Sequence, residues 1–131
     1  MIGGRILDTS ALTAAAQGSL YMQALLSLAH QRVIPLLVPT TALSDAYASL
    51  KPDAQQALHV IAQFPMLTLA PFTEEDARGA GTLRAARPEV RSDATAGHVA
   101  FLAAAREWPV ISGDSIRLQA LYPGIEVEPL P

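Results

Sequence analysis

The chain has 131 residues, of which half are apolar and 16% charged, and its net charge is −3. This composition predicts one globular domain over residues 1–131, and the absence of cysteine excludes disulfides, thiolate metal sites and cysteine nucleophiles. No apolar run approaches the roughly 20 residues that cross a bilayer and no signal segment opens the chain, so we expect a soluble, cytoplasmic protein without a membrane partner.

In the first half of the chain, strand-like and helix-like segments alternate. Apolar spacing, proline positions and capping residues predict the boundaries. The predicted elements are a strand over residues 5–7 that ends at Asp8, a helix capped by Thr9 or Ser10, a helix from Ser19 to about Gln31, a buried strand within residues 33–39, a helix capped by Thr40 or Thr41 and running through Leu50, and a helix from Pro52 to about Gln63.

The second half continues the alternation. Its predicted elements are a strand over 66–69, a helix from Glu74 to about Ala86 that begins after Thr73, a long helix opened by Ser92 and Asp93 and ending near Trp108, a strand over 109–112, a helix from Ser115 to Leu121 and a strand over 125–128. Gly79 and Gly81 should make the helix after Thr73 weak or bent, and therefore the most mobile element. Strands that alternate with helices over short connections predict an α/β fold with a parallel sheet covered on both faces.

Four aspartates occupy positions that converge in such a fold. Asp8 ends the first strand, Asp114 follows the fourth, Asp93 opens a helix, and Asp45 lies about one turn into the helix after the second strand. Ligands of an open parallel sheet bind outside the carboxyl ends of its strands. Taken singly, Asp45, Asp93 and Asp114 are also ordinary surface, cap or turn residues, whereas Asp8 is harder to explain because aspartate is depleted in strands.

Gathered carboxylates repel one another unless a cation joins them. Mg²⁺ or Mn²⁺ prefers oxygen ligands and also meets substrate phosphates, so such a pocket suits phosphodiester chemistry with one ion or two. If the four aspartates are set aside, the rest of the chain carries a charge of +1. A mildly basic rim around an acidic pocket is therefore compatible with the acidic total.

The order of these motifs resembles that of the PIN-domain nucleases, and within them the small VapC-type toxins of toxin-antitoxin pairs. The resemblance covers nearly the whole chain and rests on the segments ILDTSAL, VPTTALSDAYASL, SDATAGHVAFLAAA and VISGD. It implies a three-layer α/β/α sandwich with a central parallel sheet of four to five strands, and a metal-dependent ribonuclease. By the same resemblance, Asp8, Asp45, Asp93 and Asp114 hold Mg²⁺ or Mn²⁺, while Ser10 and Ser112 hydrogen-bond to carboxylates, waters or phosphate.

The resemblance also implies an antitoxin partner and a homodimer, for which the helix around Leu20–Leu28 or the alanine-rich helix after Asp93 could supply surfaces. One position departs from the family pattern. The second acid is usually glutamate, and Asp45 is shorter by one methylene, about 1.5 Å of reach. It could bind the ion through water, or activity could be lower.

Basic and imidazole side chains give weaker signals. Arg84, Arg87 and Arg91 cluster before Asp93 and could hold RNA phosphates, although a solvated charged loop explains them equally well. His98 lies five residues after Asp93, which displaces it around the helix and predicts a packing or surface residue, with contact to substrate as the alternative. His30 and His59 have no motif context.

Alternative classes find less support. A haloacid-dehalogenase-type phosphatase needs a second aspartate where the chain has Ser10, a receiver domain needs a late lysine, and the only lysine is Lys51. Neither a phosphate-binding G-x-x-x-x-G-K-[ST] loop nor a G-x-G-x-x-G turn is present. The rival from another class is a PIN-fold protein that has lost activity and acts as an RNA-binding or protein-interaction module, with Asp45 as the feature that favours it.

Overall fold

The computed structural model of the chain describes residues 3–131. Strands and helices alternate in the predicted order. They are β1 (Arg5–Leu7), α1 (Thr9–Ala16), α2 (Leu20–Arg32), β2 (Leu36–Pro39), α3 (Thr40–Ser49), α4 (Pro52–Ile61), β3 (Leu67–Ala70), α5 (Glu74–Ala86), α6 (Ala94–Arg106), β4 (Val110–Ser112), α7 (Ser115–Leu121) and β5 (Val127–Pro129).

The five strands form one parallel sheet in the order β3-β2-β1-β4-β5. Ile6 of β1 stands opposite Leu37 of β2 on one side and Val110 of β4 on the other. The chain builds the sheet outward from β1 to β3, then returns to place β4 on the other side of β1. The point where the strand order reverses therefore lies between β1 and β4, which is where open α/β sheets form ligand crevices.

Side chains of each strand alternate between two cores. Leu7 faces the core formed with α1 to α4, while the preceding residue Ile6 faces the core formed with α6 and α7. Successive strand residues point to opposite faces, so a run that is apolar at every position is buried on both sides. The result is a three-layer α/β/α sandwich, which confirms the predicted fold class.

Two predicted helix caps are wrong. The side chain that caps α1 is that of Asp8, which accepts from the backbone of Ala11, and neither Thr9 nor Ser10 has this role. The residue preceding α3 is Pro39, which makes no side-chain cap, and Thr40 and Thr41 already lie inside the helix. Their hydroxyls bond to other elements instead, because tertiary contacts compete with local capping.

Predicted boundaries at several other elements are displaced by one to three residues. The second strand occupies only the last part of the predicted segment, the third begins one residue later, and the last begins two residues later at Val127. In α4 and α6, the helix ends two residues before the predicted end. These shifts change no element type, and frayed helix ends commonly differ by this amount.

Helices α5 and α6 pack closely through two glycines. A Cβ at Gly79 would overlap the ring of Phe101, and one at Gly97 would lie 2.8 Å from Cδ of Arg84, whereas Gly81 has open space around it. Helix α5 is continuous across both of its glycines, and its predicted weakness stays a prediction. Among the helices of residues 3–131, none is long and apolar enough to span a membrane.

Candidate active site

The carboxylate of Asp8 lies at the carboxyl end of β1 and is 8% exposed. Its Oδ1 accepts hydrogen bonds from Oγ of Ser10 at 2.6 Å and from the backbone N–H of Ala11 at 3.0 Å. Its Oδ2 accepts a hydrogen bond from the hydroxyl of Ser112, a fully buried residue of β4. Three donors from three positions therefore fix the orientation of this carboxylate.

The same two serine hydroxyls also accept hydrogen bonds from the loop after β4. The hydroxyl of Ser112 accepts from the backbone N–H of Asp114 at 2.9 Å, and that of Ser10 accepts from the backbone N–H of Gly113 at 2.9 Å. The loop after β4 is thereby held against the start of α1. Ser10 and Ser112, which the sequence predicted as supporting residues, both contact Asp8.

A cavity of about 240 Å³ opens at this junction. Its lining residues are Asp8, Thr9, Ser10, Thr13, Ser49, Thr95, Ala96, Val99, Asp114, Arg117 and Leu118. They come from α1, α3, α6 and the loop and helix after β4. Two of the four predicted carboxylates thus face one cavity, and both follow strands at the point where the strand order reverses.

Asp93 is connected to this cavity through Arg117. Its Oδ1 accepts from the backbone N–H of Ala96 at 2.8 Å and so caps α6, as the sequence predicted. Its Oδ2 lies 4.0 Å from Nη1 of Arg117, whose Nε lies 2.6 Å from Oδ2 of Asp114. One guanidinium therefore bridges two of the predicted carboxylates.

Asp45 is connected to the cavity through Thr95. Its Oδ2 accepts a hydrogen bond from Oγ1 of Thr95 at 2.6 Å, in an exposed setting. Thr95 belongs to the second position of α6 and lines the cavity. The short side chain of Asp45 thus accepts a hydrogen bond from a hydroxyl of the neighbouring helix α6.

The donor chemistry of the site suits a hard cation, since carboxylate and hydroxyl oxygens are the ligands that Mg²⁺ and Mn²⁺ prefer. Within residues 3–131, however, no three histidine, aspartate or glutamate side chains are close enough together to hold a metal ion in this arrangement. Asp8 and Asp114 supply oxygens to the cavity directly. Asp45 and Asp93 contact residues that line it.

The predicted RNA-binding arginines lie at the end of α5 and in the loop after it. Arg84 is already engaged, with Nε 3.2 Å from Oγ of Ser92 and Nη2 3.2 Å from the carbonyl oxygen of Ser92. It therefore ties α5 to the segment that presents Asp93. Arg87 and Arg91 are exposed.

His98 is fully buried and belongs to a second polar cluster, which sequence reasoning missed. Its Nε2 lies 2.9 Å from Oδ2 of Asp76 in α5, and its Nδ1 lies 2.8 Å from Oγ1 of Thr41 in α3. Burial lowers the pKa of His98 below its ordinary value of 6.5, although the hydrogen bond and charge of Asp76 act in the opposite direction. In the neutral form, Nε2 donates to Asp76 and Nδ1 accepts from Thr41.

This second cluster has the residue types of a nucleophile, a base and an orienting acid, but it is structural. The imidazole has no exposed surface, so a substrate cannot reach it. The ring of Phe72 also packs on it, with centroids 4.6 Å apart. The cluster joins α3, α5 and α6. Of the two positions predicted for His98, packing or surface, the structure shows the buried one.

Sequence reasoning also missed Thr95 and Arg117. Arg117 stands three residues after Asp114, a spacing at which helical side chains meet, so the i, i+3 pairing rule could have found it. No local pattern links Thr95 with Asp45, since 50 positions separate them.

Comparison with known proteins identifies the fold. No protein-family model matches the chain, and no curated protein matches it either. Solved structures do. A chain of VapBC2 from Rickettsia felis, bound to a DNA fragment from its promoter, matches with a TM-score of 0.78 at 15% identity, and the match covers 100% of both chains. This chain has a PIN-like fold.

Two further structures share the PIN-like fold of this chain. A chain of DNA-bound VapBC from Salmonella typhimurium matches with a TM-score of 0.73 at 19% identity and covers 98% of each chain. FitAcB from Neisseria gonorrhoeae matches with a TM-score of 0.65 at 18% identity, covering 94% of this chain and 95% of that one. At such low identity, the likeness concerns the arrangement of elements.

Proposed function

We propose that the chain is a metal-dependent endoribonuclease of the VapC type, the toxin of a type II toxin-antitoxin pair, with residues 1–131 acting as one domain in the cytoplasm. The observation that carries this proposal is the position of Asp8 and Asp114 in one cavity, at the point where the strand order reverses. The likeness to chains of VapBC structures over the whole length supports it.

The residues of the chain have separate tasks in this proposal. Asp8, Asp45, Asp93 and Asp114 would hold Mg²⁺ or Mn²⁺, an ion that would supply an activated water and charge neutralisation at the phosphate. Ser10 and Ser112 keep the Asp8 carboxylate in one orientation through their hydrogen bonds. The exposed guanidiniums of Arg87 and Arg91 would bind RNA phosphates. Arg84, which is bonded to Ser92, would hold the segment that carries Asp93 and contribute positive charge there.

Partner surfaces are proposed on α2. A groove of about 320 Å³ is lined by Arg5, Tyr21, Ala24, Leu25, Leu28, Ile34 and Glu128. Beside it, Leu20 is 82% exposed. Apolar surface of this kind suits a protein interface, so we assign this face to the homodimer or to the antitoxin.

A second candidate is a PIN-fold module without catalysis that binds RNA or protein. Two observations favour it. The carboxylates do not form a group of three around one point in residues 3–131, and Asp45 is bonded to Thr95. The two candidates differ in their response to metal, because a ligand that binds only the folded state raises its stability.

The decisive experiment replaces Asp8 and Asp93, separately, with asparagine. Both residues cap helices, and asparagine caps as well as aspartate does, so the variants should fold. We expect metal-dependent cleavage of RNA to fall by at least about 1000-fold, because the cation loses an anionic ligand. The measurement is cleavage of a labelled single-stranded RNA in Mn²⁺, with circular dichroism to check the fold.

The matched control is Asp53→Asn, which removes the same charge in the first turn of α4. It should leave cleavage unchanged. Melting temperatures measured with and without Mn²⁺ separate the two candidate functions. If the chain is a nuclease, Mn²⁺ should raise the melting temperature of wild type by several degrees and that of the two site variants by much less. Equal cleavage by wild type and both site variants would remove Asp8 and Asp93 from the mechanism. Absence of cleavage together with a melting temperature that does not respond to Mn²⁺ would favour the non-catalytic module.

A further inference from the structure

Arg117 is the one basic side chain among the described residues that line the acidic cavity. It is the third residue of α7, and its side chain is 43% exposed. Its Nε lies 2.6 Å from Asp114 and its Nη1 lies 4.0 Å from Asp93. The guanidinium thus neutralises two carboxylates that the proposed function assigns to a divalent cation.

These two assignments compete for the same carboxylates. Arg117 faces the Oδ2 atoms of Asp93 and Asp114, and a divalent cation held by these residues would repel a second positive charge so close to it. Asp114 does not use its side chain to cap α7. Its carboxylate is therefore free of a structural task and can exchange one cation for another.

A guanidinium displaced from these carboxylates would still stand at the cavity. It is attached to α7, whose Leu118 is buried in the core, so the backbone cannot carry it far. Its planar group has five N–H donors, and the geometry matches phosphate as well as it matches carboxylate. The group it would meet there is a phosphodiester of the RNA substrate.

We propose that Arg117 exchanges partners during the reaction: it gives up Asp93 and Asp114 to the divalent cation and binds a phosphate of the RNA instead. This inference rests on the proposed function and adds a substrate-binding residue to it. It also explains how the negative charge of Asp93 and Asp114 is balanced, by Arg117 before the cation binds and by the cation afterwards. No bond is made or broken by Arg117 itself.

The first measurement is the affinity for Mn²⁺ without RNA, by isothermal titration calorimetry. Arg117→Gln should bind Mn²⁺ about fivefold more tightly than wild type, because the competing charge is gone. Arg117→Lys keeps the charge and should remain near wild type. The control is Arg106→Gln at the other end of α6, about 20 Å along that helix from Asp93, which should change nothing.

The second measurement is cleavage of single-stranded RNA at saturating Mn²⁺. Arg117→Gln should raise KM about tenfold with a smaller change in kcat, because a charged contact to phosphate is lost. The slope of log affinity against log salt should also become shallower by about 0.7, the value for one phosphate contact on a single strand. Arg106→Gln should keep the wild-type slope.

The outcomes are distinguishable. If wild type binds Mn²⁺ and cleaves RNA, but Arg117→Gln shows the same Mn²⁺ affinity, KM and salt slope, the exchange is refuted and the nuclease proposal stands. Tighter Mn²⁺ binding with an unchanged KM also refutes it, since Arg117 would then be only a counter-ion. If wild type neither binds Mn²⁺ nor cleaves RNA, both proposals fail.

Discussion

Helix α6 carries two polar clusters that differ in burial. The open cluster is at its start, where Asp93 and Thr95 meet Asp45, Asp114 and Arg117 at the surface of a cavity. The closed cluster is one turn further on, where His98 is fully buried between Thr41 and Asp76. The open cluster leaves carboxylate oxygens for a ligand, whereas in the closed one the imidazole has both of its partners within the protein.

The difference has an energetic meaning. A hydrogen bond at the surface is exchanged with water at little net cost, but a buried polar group that loses its partner keeps the full desolvation penalty. We therefore expect the closed cluster to control stability and the open cluster to control ligand binding. Substitutions in the two clusters can test this division.

The largest effect on stability should come from His98→Ala. It removes a fully buried ring, leaves a cavity and deprives Thr41 and Asp76 of a partner, so unfolding free energy should fall by about 3 kcal/mol. Urea denaturation measures it. His59→Ala, at an exposed position of α4, is the control and should stay within about 0.5 kcal/mol of wild type. Similar losses of unfolding free energy in both variants would contradict the assignment of stability to the closed cluster.

A matched threonine pair compares the clusters directly. Thr41 and Thr95 are each the second residue of a helix, and each hydroxyl makes one hydrogen bond to a side chain of another helix, at 2.8 and 2.6 Å. Thr41→Val should cost about 1.5 kcal/mol because a buried ring nitrogen loses its donor. Thr95→Val should cost under about 0.5 kcal/mol because water replaces it. Equal losses in chemical denaturation would show that burial is not the deciding difference.

The last expected effect is on the pH dependence of stability. Burial lowers the pKa of His98 in the folded state below 6.5, so the unfolded chain binds the proton first as pH falls. Stability from this residue is therefore complete above pH 6.5 and decreases below it, with a slope of at most about 1.4 kcal/mol per pH unit. Urea midpoints between pH 8 and 5 measure the slope, and His98→Gln should flatten it. A wild-type stability that rises as the pH falls in this range would contradict this prediction.

The sequence predicted the fold well because the apolar patterns are local. Every strand and helix was expected in its observed order, since short apolar runs such as residues 33–39 and the spacing within 19–31 depend on neighbours in the chain. The cap of α1 was missed because Asp8 ends a strand and caps a helix at once. The prediction of Thr9 or Ser10 as the cap overlooked Asp8, which directly precedes Thr9.

The closed cluster could not be predicted from the sequence, because its residues lie far apart in the chain. His98 and Asp76 lie 22 positions apart, and Thr41 lies 57 positions from His98. Their meeting depends on how α3 and α5 pack against α6, which no local period encodes. The four aspartates were easier to anticipate, since strand ends in a parallel sheet converge on one edge. Their closeness to a cation remains a prediction.

The close packing of α5 against α6 offers a way to compare distant relatives that does not depend on the carboxylates. A methyl group at Gly79 would overlap Phe101, and one at Gly97 would crowd Arg84 and Ala80, so a relative with a larger residue at either place would have to move these side chains or hold the two helices further apart. Distant chains of the same architecture can then be sorted by this spacing. Those with a small residue at both positions should superpose on this pair of helices better than overall identity would suggest.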